Sequence, residues 1–280
     1  MKRILPLLTL LLALLLCACA QEPSSPVPAP TFTPEPTATP VPTPSPTPTV
    51  TPMPTDPNHK SRVPVLMYHQ VASPEENDLY LSPENFQSQL DWLAENGYTP
   101  VTMAQLARHW RLNEALPDKP IVLTFDDGYL PMYTEVYPRL LEKGWAATFY
   151  IVPLYTGDAA TFVTPDMVEE MARGGMDIGS HTYNHLQLNE LDVDGQLYEL
   201  ELSKATLEAW THQEVVSFCY PSGRYTDDAI RSVMDTGYTS AVTTEYAMAD
   251  ESNGYFTIPR IRISWGMDGG DLGRALQNLE

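Results

Sequence analysis

The prolines set the limits of what this chain can fold into. Fourteen of the 27 lie between Glu22 and Pro57, one lies in the leader, and 12 are spread over everything after Asn58. Each proline removes a backbone donor and fixes φ, so neither helix nor sheet ladders run through such a stretch. Only Glu22, Glu35 and Asp56 carry charge there and almost nothing is apolar. Residues 19–57 are therefore expected to carry an extended, polyproline-like stalk, whose 36 residues from Glu22 to Pro57 reach on the order of 110 Å at about 3.1 Å per residue. An O-glycosylated Thr-Pro tract would serve the same spacing role. What remains, residues 58–280, suits one large globular domain with a sizeable core and no second linker.

The leader reads as an export signal. Lys2 and Arg3 precede the apolar run Ile4 to Leu16, which is shorter than the ~20 residues of a spanning helix. Its end, Leu16-Cys17-Ala18-Cys19, resembles the bacterial lipobox. Cys19 follows a small residue and Cys17 follows the bulky Leu16, so residues 1–18 are expected to be removed and Cys19 lipidated. Ala18 and Ala20 would also suit an ordinary signal-peptidase cleavage. With Cys19 acylated, Cys219 is the one ordinary cysteine and no disulfide framework is possible. The expected location is the extracellular face of a bacterial membrane, held by the lipid and reaching into the cell wall. With 16 Lys+Arg against 36 Asp+Glu, a net charge of −20, nucleic acid and anionic membrane surfaces are excluded as partners. A monomer is expected.

Beyond Arg62, short β-branched or aromatic runs alternate with amphipathic stretches, the pattern of βα units around a parallel sheet. Strands are predicted at Val63 to Tyr68, Ile121 to Phe125, Ala146 to Val152, Met176 to Gly179, Val215 to Tyr220, Thr239 to Thr243 and Phe256 to Ile263. Helices are predicted after Ser82, after Thr102, over Tyr133 to Lys143, after Thr164, near Gly195 to Trp210, over Asp227 to Asp235 and after Gly270. This periodicity alone leaves a barrel and an open doubly wound sheet undecided, but either puts functional groups at the carboxyl ends of strands.

Two polar clusters fall at such ends. Asp126-Asp127-Gly128 follows the strand Ile121 to Phe125. Adjacent carboxylates are costly without a cation, and the glycine allows a sharp turn, so one can ligate a metal while the other stays free as a base. The bland reading is a polar turn. His181-Thr182-Tyr183-Asn184-His185 follows the strand Met176 to Gly179. Its spacing puts both imidazoles on one side of a helical turn, suited to one divalent cation. With a strand-end Asp they make a two-His, one-carboxylate set with open positions, a catalytic and not a structural arrangement, and zinc suits it best.

Thr124-Phe125-Asp126-Asp127-Gly128 and His181-Thr182-Tyr183-Asn184-His185, in that order, resemble the first two motifs of the polysaccharide deacetylases of the NodB-homology type, carbohydrate esterase family four. Phe218-Cys219-Tyr220-Pro221-Ser222-Gly223 is similar to the third motif of the secreted poly-N-acetylglucosamine deacetylase branch, and the resemblance runs from about Val63 to the C-terminus. It implies a distorted, incomplete (β/α)7-type barrel, with Asp127, His181 and His185 as metal ligands and Asp126 as general base. The implied substrate is an N-acetylated polysaccharide. Pro221 and Ser222 are implied to touch it, and backbone N–H groups from Tyr220 to Gly223 to hold the oxyanion.

Two departures shape the remaining expectations. Cys219 stands where many members carry the arginine that orients the base, and no histidine follows His212 to supply the usual C-terminal acid. Leu66-Met67-Tyr68-His69 resembles that missing motif moved to the N-terminus, as in the permuted branch, so His69 is assigned as the acid. Its competing role is a strand-end hydrogen bond. Arg260 and Arg262 alternate along the strand Phe256 to Ile263 and either reaches Asp126 from a neighbouring strand end; Arg260 is favoured. Tyr129, Tyr220 and Trp265 are candidate sugar-stacking platforms, against the commoner reading of packing aromatics. His59, His109 and His212 read as surface residues. Three functions follow: an N-deacetylase of N-acetylglucosamine units in a cell-wall or surface polymer, an O-acetyl esterase of the xylan type, or a degenerate glycan-binding surface lipoprotein.

Overall fold

The structure is a computed structural model and describes residues 62–72 and 77–279. The expected leader, the lipidation site Cys19, the stalk and His59 lie outside the described residues. Among the described residues, no helix is long and apolar enough to cross a membrane.

Among the described residues, ten strands and seven α-helices follow one another along the chain. The strands are β1 Val65–Tyr68, β2 Gln70–Val71, β3 Tyr80–Leu81, β4 Thr99–Val101, β5 Pro120–Phe125, β6 Thr148–Ile151, β7 Asp177–Ser180, β8 Ser217–Cys219, β9 Ser240–Val242 and β10 Ile261–Arg262. The helices are α1 Pro83–Glu95, α2 Met103–Leu112, α3 Tyr137–Lys143, α4 Pro165–Arg173, α5 Val193–Thr211, α6 Asp227–Asp235 and α7 Gly269–Gln277. Ser82, Thr102 and Thr164 accept from backbone N–H groups in the first turns of α1, α2 and α4, as their sequences predict.

The main sheet is parallel, in the order β10-β1-β5-β6-β7-β8-β9, with β4 also on β5. Its two edges are brought together by one short segment: Ile258 bridges β9 at Val242, and Ile261 pairs with β1 at Leu66. The result is a curled, incomplete (β/α) barrel. Alternate strand residues face two different cores. Leu66, Leu123, Phe125, Phe149 and Ile151 pack under the surrounding helices. Val65, Val122, Tyr150, Cys219 and Val242 pack with Met103, Leu106 and Trp110 of α2. The first turn of α2 donates to Thr148 and Asp177 at the starts of β6 and β7, so this helix plugs the amino end of the barrel and leaves the carboxyl end for the site.

Three expectations are corrected. The strand predicted over Phe256 to Ile263 shrinks to Ile261–Arg262 plus the single bridge at Ile258, because Pro259 has no N–H to continue the ladder. The helix predicted from Tyr133 begins as a π-helical turn, Met132–Val136, with the Tyr137 N–H bonded to the Met132 carbonyl. Pro138 cannot supply the next α-helical bond, so the wider turn precedes α3. Strands β2, β3 and β4 are too short to show alternation and were not predicted.

Candidate active site

The Asp-Asp-Gly turn separates its two carboxylates by backbone conformation. Asp126 still pairs as a strand residue, its N–H donating to Tyr68 O. Asp127 then takes φ 79 and Gly128 φ 81. A left-handed Asp is strained by roughly 1–2 kcal/mol, and strain of this kind collects at functional sites. The reversal sends Asp126 toward β10 and Asp127 toward the loop after β7.

Arg260 is fully buried and its guanidinium grips Asp126 with both forks, Nη1 to Oδ1 and Nη2 to Oδ2, each 2.7 Å. Its Nε donates to Thr243 O, its Nη1 also to Thr124 Oγ1, and Tyr150 lies under the cation at 5.9 Å. Burial would raise the Asp126 pKa, but the charge and hydrogen bonds of Arg260 outweigh it and hold the carboxyl below the ordinary carboxylate value. Cys219 fills the small remaining space, its Sγ 3.2 Å from Arg260 Nη2 and 3.6 Å from Asp126 Oδ2. Burial pushes the thiol pKa up. His69 Nε2 lies 3.9 Å from Asp126 Oδ2. The imidazole faces the cleft and not the core.

On the other side of the turn, His181 Nε2 and His185 Nε2 approach Asp127 Oδ1 at 3.4 and 3.3 Å. The expectation of a helical turn is overturned: residues 181–185 form an irregular loop with Thr182 and His185 both at φ 59. What shapes the loop is Glu199 of α5, buried, accepting from the backbone N–H groups of Tyr183 and Asn184 and from Asn184 Nδ2 at 2.6–3.0 Å. Sequence reasoning missed Glu199, because nothing local marks one glutamate of a charged helix as facing inward.

The three side chains fit a metal. His181 Nδ1 lies 2.7 Å from the Cys219 carbonyl, which only accepts, so Nδ1 carries the proton and Nε2 is the nitrogen that would ligate a metal. Asp127 is an anion: burial acts against it, but the two histidines hold its carboxyl well below the usual range. The donor atoms all lie within 4.8 Å of one another. A second trio, Asp126, His181 and Cys219, is equally close, but Arg260 occupies that carboxylate and the protonated thiol is no ligand.

The cleft is lined by His69, Leu79, Asp126, Asp127, His181, His185, Tyr220, Ser222, Thr244 and Arg262. Tyr129 is partly exposed beside it and stacks on Phe162 at 5.0 Å. One stacking expectation is corrected: the Tyr220 ring is fully buried, edge-on to Phe218. Trp265 is exposed and, like Tyr129, lies outside the residues that line the cleft. Pro221 is buried and Ser222 is exposed at φ 57. The oxyanion expectation narrows as well. The N–H groups of Tyr220 and Gly223 donate to Val242 O and Tyr220 O, and Pro221 has none. Among the described residues, that leaves the N–H of Ser222.

The polysaccharide deacetylase family profile matches residues 113–241, which takes in the Asp-Asp-Gly turn and both histidines. The Bacillus subtilis polysaccharide deacetylase relative YxkH is 32% identical over 220 residues, covering 79% of this chain and 78% of that one. This chain belongs to the polysaccharide deacetylase family. The solved Streptococcus pyogenes deacetylase in complex with acetate superposes on this polysaccharide deacetylase with a TM-score of 0.73 at 32% identity, over 79% of this chain and all of that one. The poly-β-1,6-N-acetyl-D-glucosamine N-deacetylase of Escherichia coli is 26% identical over 71% of this chain, which spans 36% of the length of that enzyme. The deacetylase assignment makes the chain a hydrolase and agrees with the incomplete-barrel architecture.

Proposed function

We propose that this polysaccharide deacetylase is a metal-dependent N-deacetylase of N-acetylglucosamine units in a cell-wall or surface polysaccharide, carried outside the bacterial membrane on the Cys19 lipid and the 19–57 stalk. The observation that carries the reading is the division of one cleft into two halves. Asp127, His181 and His185 converge on one side, while Asp126, held by Arg260, and His69 stand on the other. The name of the Escherichia coli relative supports the sugar and the bond. The leader and stalk support the location.

Asp127, His181 and His185 would hold the ion, with zinc the best match to two neutral imidazoles and one carboxylate. An ion held there would supply Lewis-acid polarisation of the acetyl carbonyl and lower the pKa of a water toward neutrality. The chain's own groups do the rest. Asp126 accepts the proton of the attacking water, and Arg260 keeps that carboxylate ionised and aimed. The Ser222 N–H donates to the developing oxyanion. His69 Nε2 delivers a proton to the departing nitrogen, so that the amide and water become amine and acetate.

Acetate release from peptidoglycan, poly-N-acetylglucosamine, chitooligosaccharides and acetylxylan, with and without chelator, tests this reading. Chelator-sensitive release from an N-acetylated polymer is expected. Release from acetylxylan alone would move the activity to the O-acetyl ester, and release from none would leave only glycan binding.

A further inference from the structure

Arg262 lies in the cleft wall on β10, next to the β1 strand that His69 directly follows. Among the described residues its guanidinium makes no ion pair or hydrogen bond with another group. This is unexpected in a chain with 36 carboxylates, and it contrasts with Arg260 two positions away, whose guanidinium is fully engaged. Nor can the two acidic side chains of the cleft supply a partner. Asp126 is gripped by Arg260, and Asp127 is turned toward His181 and His185.

The position gives no catalytic reason for a cation. Arg262, like Arg260, acts against protonation of His69, the group assigned to deliver a proton. Ser222 and Thr244 line the same cleft, with Thr244 Oγ1 3.4 Å from Ser222 O. The aromatic pair Tyr129 and Phe162 lies instead by the Asp-Asp-Gly turn. A partly exposed guanidinium in the wall of a cleft that also presents hydroxyls fits an oxyanion bidentately.

We propose that Arg262 binds an oxyanion substituent, a carboxylate or a phosphate, carried by the substrate glycan close to the sugar that loses its acetyl group. The proposal rests on the deacetylase reading of this cleft and adds a substrate class to it. The charge of −20 does not oppose a single such group, because surface charges farther away than about 8 Å are screened at physiological salt while a contact pair is not. It does oppose a dense polyanion, so the fit is to one acidic group per reacting site.

The test compares three ligands: a neutral N-acetylglucosamine oligomer, the same oligomer with one phosphate, and the same oligomer with one carboxylate. Binding to the full-length metal-loaded protein is measured by calorimetry and acetate release is followed in parallel. The wild type is expected to bind at least one acidic oligomer tenfold or more tighter than the neutral one, with the preference in KM rather than kcat. Arg262→Gln should collapse that ratio toward one, and Arg262→Lys should restore part of it. The two acidic arms tell which oxyanion is recognised. Equal binding of all three oligomers by the wild type, or an acidic preference that survives in Arg262→Gln, overturns the proposal. Because binding is read without turnover, an acidic preference with no acetate release would overturn the deacetylase reading and leave the Arg262 assignment standing.

Discussion

Arg260 and Asp126 meet as a two-pronged ion pair across 134 positions of chain, both contacts at 2.7 Å with the side chains almost wholly out of solvent. Breaking a buried pair from one side typically costs about 3–5 kcal/mol, because the remaining charge is stranded. Arg260→Ala should therefore lower the unfolding free energy by several kcal/mol and abolish acetate release. Arg260→Lys keeps the charge but loses the fork, so it should fold and still lose one to two orders of magnitude in kcat. Denaturant unfolding and acetate release check both, and wild-type kcat in Arg260→Lys would refute the orienting role.

The two carboxylates of the turn should part company under mutation. Asp126→Asn should retain stoichiometric metal while losing roughly 10²- to 10⁴-fold in turnover, the scale of a proton-transfer role. His181→Ala with His185→Ala should lose the metal. Metal analysis of the purified variants decides it, and loss of metal from Asp126→Asn would show that the roles are reversed.

Glu199 holds the histidine loop without touching the ligand atoms. Its carboxylate takes three N–H groups, and a glutamine has only one acceptor oxygen to offer them. Removing such a support lowers metal affinity by about 10- to 100-fold in other sites. Competition with a chelator of known affinity should show a loss of that size for Glu199→Gln, with the fold retained by circular dichroism; unchanged affinity would make Glu199 a packing residue only.

His69 gives a pH dependence with a definite sign. Burial, helped by Arg260 and Arg262, outweighs Asp126 and Asp127 and puts its pKa below the ordinary 6.5. The folded state then binds this proton less readily than the unfolded chain. Its contribution to stability is whole above about pH 6.5 and is lost as pH falls through the lowered value. In metal-free protein, the wild type should lose stability between pH 7 and 5 more steeply than His69→Gln. Parallel stability curves for the two proteins would contradict the shift.

Much of this protein was written locally. Ser82, Thr102 and Thr164 predict their helices because a cap acts within one turn. The run Ile121 to Phe125 predicts a buried strand, and Asp126-Asp127-Gly128 and the two histidines are polar exactly where strands of a βα fold deliver functional groups. The tertiary structure decided what depends on distant chain. The histidine spacing suggested a helical turn, but Glu199 on another helix fixes a loop with two left-handed residues. Tyr220 at a strand end looked like a platform, and Phe218 with the barrel wall buries it. Pro259 cut the last strand short, yet the residue after it still reaches Asp126, because Ile258 and Ile261 hold opposite edges of the curled sheet. Caps and periodicity act over a few residues and can be read in order, whereas the choice of partner for a buried charge waits until the sheet closes and brings remote side chains into one low-dielectric space.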